Sequence, residues 1–141
     1  MSGWLLDTNV LSELRKPRCH PKVKKWVEDQ PSHTLFISVV TLAEIRFGIK
    51  KAANADLQHK LNQWLDNTLR PWFGGRVLEV DENVFLRWRE MVEKGRKQNH
   101  TFSQPDLFLA AIADLHGLCV VSRNVDDFKI TSVPVLNPWK S

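Results

Sequence analysis

A chain of 141 residues, 43% hydrophobic and 26% charged with 6 Gly and 7 Pro, has the size and apolar content of one globular domain spanning residues 1–141. Two domains, a disordered chain and a collagen-like repeat are excluded. Lys and Arg total 20 against 16 Asp and Glu, and this net charge of +4 favours polyanionic partners, nucleic acid among them.

The elements follow in chain order. Trp4-Leu5-Leu6 reads as a short strand, and Asp7-Thr8-Asn9 as the cap of a helix carrying Val10, Leu11 and Leu14. Pro17 ends that helix. Pro21 opens another, with Val23, Trp26 and Val27 inward and Lys22, Lys24, Lys25 and Glu28 outward. Leu35-Phe36-Ile37-Ser38 is a second strand. Thr41 is expected to cap a helix with Leu42, Ile45 and Ile49 inward, and Leu57, Leu61, Trp64, Leu65 and Leu69 mark a longer helix ending near Pro71. Gly74-Gly75 turns the chain into a third strand, Val77 to Val80. Asp81 then caps a helix whose apolar face is Val84, Phe85, Trp88, Met91 and Val92. Pro105 opens the next helix, with Leu109, Ile112 and Ala113 inward and Gly117 suited to a left-handed cap, before the wholly apolar strand Leu118 to Val121. Strands apolar on both faces, alternating with helices, predict an α/β fold with a parallel sheet covered on both sides.

In such sheets chemistry gathers beyond the carboxyl ends of the strands. Acids fall at four junctions: Asp7 after the first strand, Glu44 in the first turn after the second, Asp106 behind Pro105, and Asp126-Asp127 after the last long strand. An acid at a helix start is ordinarily a cap or a partner of the helix dipole. Here Leu5 and Leu6 precede Asp7, and Leu107, Phe108 and Leu109 follow Asp106, so both carboxylates lie beside the core. Clustered, partly dry carboxylates raise one another's pKa unless a cation joins them, and an all-oxygen set suits Mg2+ or Mn2+.

Other chemistries find less support. His20, His33, His59, His100 and His116 are scattered without zinc-ligand spacing, and Cys19 and Cys119 make neither a disulfide framework nor a thiolate metal site. The phosphate-binding, dinucleotide-binding and serine-nucleophile motifs are missing. The six tryptophans recur mostly at helical spacing and are assigned to packing. Arg15, Lys16 and Arg18, the lysines at 22, 24 and 25, and Lys94, Arg96 and Lys97 are candidate phosphate contacts. An acidic metal pocket in a basic chain is the arrangement expected for phosphodiester cleavage. With no secretory signal and no apolar run of about 18 residues, a soluble cytoplasmic protein without membrane association is expected.

Five blocks in order, Leu6–Glu13 (LDTNVLSE), Ser38–Gly48 (SVVTLAEIRFG), Asp106–Gly117 (DLFLAAIADLHG), Val121–Phe128 (VSRNVDDF) and Asn137-Pro138-Trp139, resemble the PIN-domain ribonucleases, specifically the VapC-type toxins of VapBC toxin–antitoxin pairs. The resemblance implies a PIN-like domain with a mainly parallel sheet of about five strands and helices on both faces. It implies that Asp7, Glu44 and Asp106 bind Mg2+, with Mn2+ possible, and that Asn9 and Ser122 help to hold the site. Asn124 stands where many members carry a fourth acid, so Asp127, in preference to Asp126, is expected to complete a catalytic set with Asp7, Glu44 and Asp106. The implied activity is a metal-dependent endoribonuclease that cuts tRNA or other structured RNA and inhibits translation. The implied partners are a VapB-type antitoxin, a second copy of the chain and a larger toxin–antitoxin complex. Three rivals remain: an RNA-binding module that does not cut, a receiver-like signalling domain, and a Mg2+-dependent phosphatase of the haloacid dehalogenase type. The phosphatase would need Asp two residues beyond Asp7, where this chain has Asn9.

Overall fold

The computed structural model describes residues 3–98 and 103–140. Five strands form: Gly3–Leu6 (β1), Leu35–Ser38 (β2), Val77–Leu78 (β3), Leu118–Val121 (β4) and Val135–Leu136 (β5). They make one sheet in the order β3-β2-β1-β4-β5, and every pairing is parallel. Parallel neighbours need long crossovers, and the helices supply them. Thr8–Arg15 (α1) and Pro21–Asp29 (α2) follow β1, and Val39–Lys50 (α3), Ala55–Trp64 (α4) and Arg70–Phe73 (α5) follow β2. Glu82–Lys97 (α6) and Gln104–His116 (α7) follow β3, and Val125–Lys129 (α8) follows β4.

Successive side chains of a strand point to opposite faces, so neighbouring residues serve different cores. Leu6, Ile37 and Val121 pack with Val10, Leu11, Leu42 and Phe73 on one face, and Leu5, Leu118 and Val120 pack with Val84, Leu109 and Ile112 on the other. The central pair β1 and β4 is consequently apolar at almost every position. At Gly3 a Cβ would stand 2.6 Å from the Thr34 carbonyl oxygen, so only glycine permits β1 to lie this close to the entry of β2.

The predicted class and layering are the observed ones, and several local expectations are corrected. The cap of α3 is Ser38, whose Oγ accepts from the Thr41 N–H at 3.2 Å; Thr41 lies inside the helix. Glu44 accordingly sits in the second turn of α3, not the first. The long helix ends at Phe73, near Pro71 as expected, but Pro71 itself lies inside it. The helix widens into one π-helical turn over Leu65–Leu69 and runs on through α5. A widened turn accommodates a residue that lacks an N–H and whose ring crowds the carbonyl of the preceding turn. The third strand ends at Leu78 instead of Val80. Phe85 is 53% exposed, its ring tilted against Trp88 and Phe108 at the border of the second core. Asp81 caps α6 by accepting from the Val84 N–H, and Gly117 is left-handed at φ 66°, both as expected. No helix among the described residues is long and apolar enough to cross a membrane.

From β1 the chain crosses to β2 on one side and later to β4 on the other. That reversal opens a crevice beyond the carboxyl ends of β1 and β4, the place where open parallel sheets bind ligands.

Candidate active site

Asp7 leaves the end of β1 and caps α1. Its Oδ1 accepts from the Thr8 N–H at 2.7 Å, and its own N–H donates to the Val121 carbonyl at 2.9 Å. Its Oδ2 accepts from the Ser122 hydroxyl at 2.8 Å, with Asn9 Nδ2 at 3.5 Å. Ser122, fully buried at the end of β4, also accepts from Asn9 Nδ2 at 3.1 Å and from the Asn124 N–H at 2.9 Å. Asn9 Oδ1 in turn lies 3.4 Å from the Arg123 N–H. This lattice ties the two central strand ends together and fixes the direction of one carboxylate.

A depression of about 630 Å3 opens above it, lined by Asp7, Asn9, Glu44, Asp106, Asn124 and Asp127. Asp7 is buried and Asp106 half-buried, while Glu44 and Asp127 stand exposed at the rim. Asp126 points elsewhere: its side chain is 96% exposed and pairs with Lys129 at 3.7 Å. Of the basic residues singled out from the sequence, Lys16 alone lines this depression, and no described histidine does. His100 lies outside the described residues. Sequence reasoning missed Glu13, Arg123 and Trp139, which also line it. Glu13, buried, accepts from the His20 N–H at 2.9 Å and from Lys16 Nζ at 3.2 Å, so it reads as the clamp of the α1–α2 corner.

The electrostatics follow from that placement. Burial raises the Asp7 carboxyl above its ordinary value, opposed by the Ser122 and Thr8 hydrogen bonds and reinforced by the charges of Glu44 and Asp127. Burial also pushes Asp106 up to about 7, helped by the charges of Asp7 and Asp127, by a hydrogen bond with Asp127, and by Glu44. Glu13 goes the other way, lowered chiefly by the His20 N–H. Among the described residues no three acidic, histidine or cysteine side chains are drawn into a ready-made ion cage. The donor set nevertheless fits a hard divalent cation. It consists of oxygen alone, its carboxylates resist joint ionisation, and Glu44 and Asp127 are exposed side chains on rotatable stems facing the fixed Asp7.

A parallel sheet whose switch point gathers acids from four crossovers is the architecture of the PIN domain, and the PIN domain family matches residues 4–133. The chain belongs to that family. It is 31% identical over 135 residues to toxin FitB of Neisseria gonorrhoeae, covering 96% of this chain and 97% of the relative. It is 29% identical over 136 residues to VapC ribonuclease Y4jK of Sinorhizobium fredii, covering 96% and 97%. A crystal structure of FitAcB from Neisseria gonorrhoeae superposes with a TM-score of 0.92 at 30% identity, covering 98% of this chain and 99% of the other.

Proposed function

We propose that the protein is a divalent-metal-dependent endoribonuclease acting as the toxin of a toxin–antitoxin pair, with structured RNA such as tRNA as substrate and inhibition of translation as the outcome. The observation that carries this reading is the convergence of Asp7, Glu44, Asp106 and Asp127 on one depression at the switch point of the sheet. The similarity to proteins named as a toxin and as a ribonuclease supports it, and the basic balance of the chain suits a polyanionic substrate. An antitoxin of VapB type is the proposed partner, with its acid-binding end in the same depression, and a dimer of this chain is the proposed assembly unit.

Asp7 and Asp106 would hold Mg2+ or Mn2+ directly, with Glu44 completing the set and Asp127 adding charge from the rim. When bound, the ion lowers the pKa of water and offsets charge growing on the phosphate. The Ser122 and Thr8 donors keep the Asp7 carboxylate pointed into the depression. Glu44, exposed and with no hydrogen bond or ion pair among the described residues, is the candidate to orient the attacking water or accept its proton. Asp106 would give up its proton to a bound cation, since burial, neighbouring charge and the Asp127 hydrogen bond are what hold its carboxyl at about 7.

The test is cleavage of bulk tRNA by purified protein in Mg2+. Activity should disappear in EDTA and fall by at least about a hundredfold in Asp7→Asn and Asp106→Asn while both variants stay folded. Asp127→Asn should lower activity and Asp126→Asn should leave it unchanged. Undiminished cutting by Asp7→Asn would remove the mechanism, and RNA binding without cutting by the wild-type protein would favour a non-catalytic RNA-binding module.

A further inference from the structure

The acidic depression is flanked by a second one of about 500 Å3, and the two share Arg123, Asn124 and Asp127. The second depression adds Lys129, Lys140 and Asp126, the last paired with Lys129 at 3.7 Å. Arg123 therefore lines both the place where phosphodiester chemistry can occur and an adjoining one of mixed charge. Its backbone is bound into the site lattice, flanked by Ser122 and Asn124 and directed at Asn9 Oδ1. Its guanidinium carbon lies 4.1 Å from the centroid of the Trp139 ring. Trp139 is itself anchored, its backbone N–H donating to Asn137 Oδ1 at 2.9 Å and its indole packed against the first core.

This arrangement is specific in what it leaves open. Arg123 is exposed and makes no ion pair with any described carboxylate, although the acid cluster is adjacent. An aromatic ring beneath a guanidinium removes water from one face and limits the rotamers, while the donors in the guanidinium plane stay available. Those donors suit two oxygens of one phosphate, because the planar fork matches phosphate geometry. A cation serving only to balance the acids would be drawn to a carboxylate instead.

We infer that Arg123, held against Trp139, binds a backbone phosphate of the RNA where the strand passes from the acidic depression into the adjoining one, and that Lys129 and Lys140 line its onward path. The inference rests on the ribonuclease reading above and adds the route of the strand. Arg123 is a substrate contact, and Trp139 is a positioning residue acting through it.

The experiment is steady-state cleavage of bulk tRNA in Mg2+ at several salt concentrations by wild-type protein, Arg123→Ala, Arg123→Lys and Trp139→Phe, with thermal melts as the folding control. Arg123→Ala should raise KM about tenfold, the value of one charge-assisted contact, with a much smaller change in kcat. Its plot of log kcat/KM against log salt should be shallower by about 0.7–0.9, the contribution of one phosphate. Arg123→Lys should restore the slope but only part of the KM, because an ammonium keeps the charge and loses the fork. Trp139→Phe, which leaves a smaller ring under the guanidinium, should raise KM by less than Arg123→Ala and leave kcat and the salt slope unmoved, and an unchanged KM would deny Trp139 its positioning role. A purely structural role for Arg123 would leave the salt slope unmoved. Wild-type cleavage with unchanged KM and slope in Arg123→Ala would overturn this inference alone. Failure of the wild-type protein to cut RNA would overturn the ribonuclease reading, and the strand route with it.

Discussion

Asp106 shows how one side chain links the fold to conditions outside it. Its folded pKa of about 7 stands above the ordinary value of 3.8, so folding favours the protonated carboxyl. The associated stability is present in full below about pH 4 and is lost as pH rises through about 7. In metal-free protein, then, ionised Asp106 opposes folding at pH 8. Asp106→Asn keeps the shape and removes the titration. We expect the variant, in EDTA, to melt at a higher temperature than wild type at pH 8, with the difference closing by pH 4. A difference that stayed constant across that range would show that Asp106 does not titrate between the folded and unfolded states in this way. Asp7 is raised for the same first reason, burial, but the Ser122 and Thr8 hydrogen bonds pull it back.

At the scale of elements, α3 illustrates how a cap positions chemistry. Ser38 ends β2, is fully buried, and satisfies the Thr41 N–H, thereby fixing where α3 starts and which way Glu44 faces. Ser38→Ala removes the cap and strands a buried donor. Loss of about 1–2 kcal/mol in urea unfolding is the expected result, and a change within error would deny Ser38 that role. Much of this layout was legible in the sequence. Capping residues, prolines and continuous apolar runs marked β1, β2, β4, α1, α2 and α7, and acids at strand ends marked Asp7 and Asp106. The misreadings have local causes. Val39 and Val40 are β-branched and carry no helical signal, so the sequence points to the next capping residue, Thr41, as the start of α3. Pro71 ordinarily breaks a helix, and only the widened turn before it reconciles the two. β5 is two residues long, too short for any periodicity. The pairing of Arg123 with Trp139 joins residues on different segments through tertiary contact alone, so no pattern along the chain announces it.

Across the whole molecule, a chain of net charge +4 concentrates negative charge at one crevice of its central sheet. The basic residues suit a polyanion, while the acids would repel it until a cation intervened. On the proposed metal-dependent reading, cation binding and proton release would be one equilibrium. Loading would displace the proton that Asp106 keeps up to about pH 7, and Asp7, also raised, would contribute in the same direction. The apparent affinity for Mg2+ should therefore climb between pH 5 and pH 7, by up to about tenfold per pH unit for each proton released, and level off above pH 8. Thermal melts across a Mg2+ titration measure this without reference to catalysis. A ligand that binds only the folded state adds about 2.7 kcal/mol at a hundredfold excess over its Kd. For a domain of this length that corresponds to a rise of roughly 5–10 °C in Tm. We expect that rise at pH 8, a clearly smaller one at the same Mg2+ concentration at pH 5, and a reduced dependence on pH in Asp106→Asn. Equal shifts at both pH values would separate ion binding from the acid cluster and send the search for the metal elsewhere on the chain.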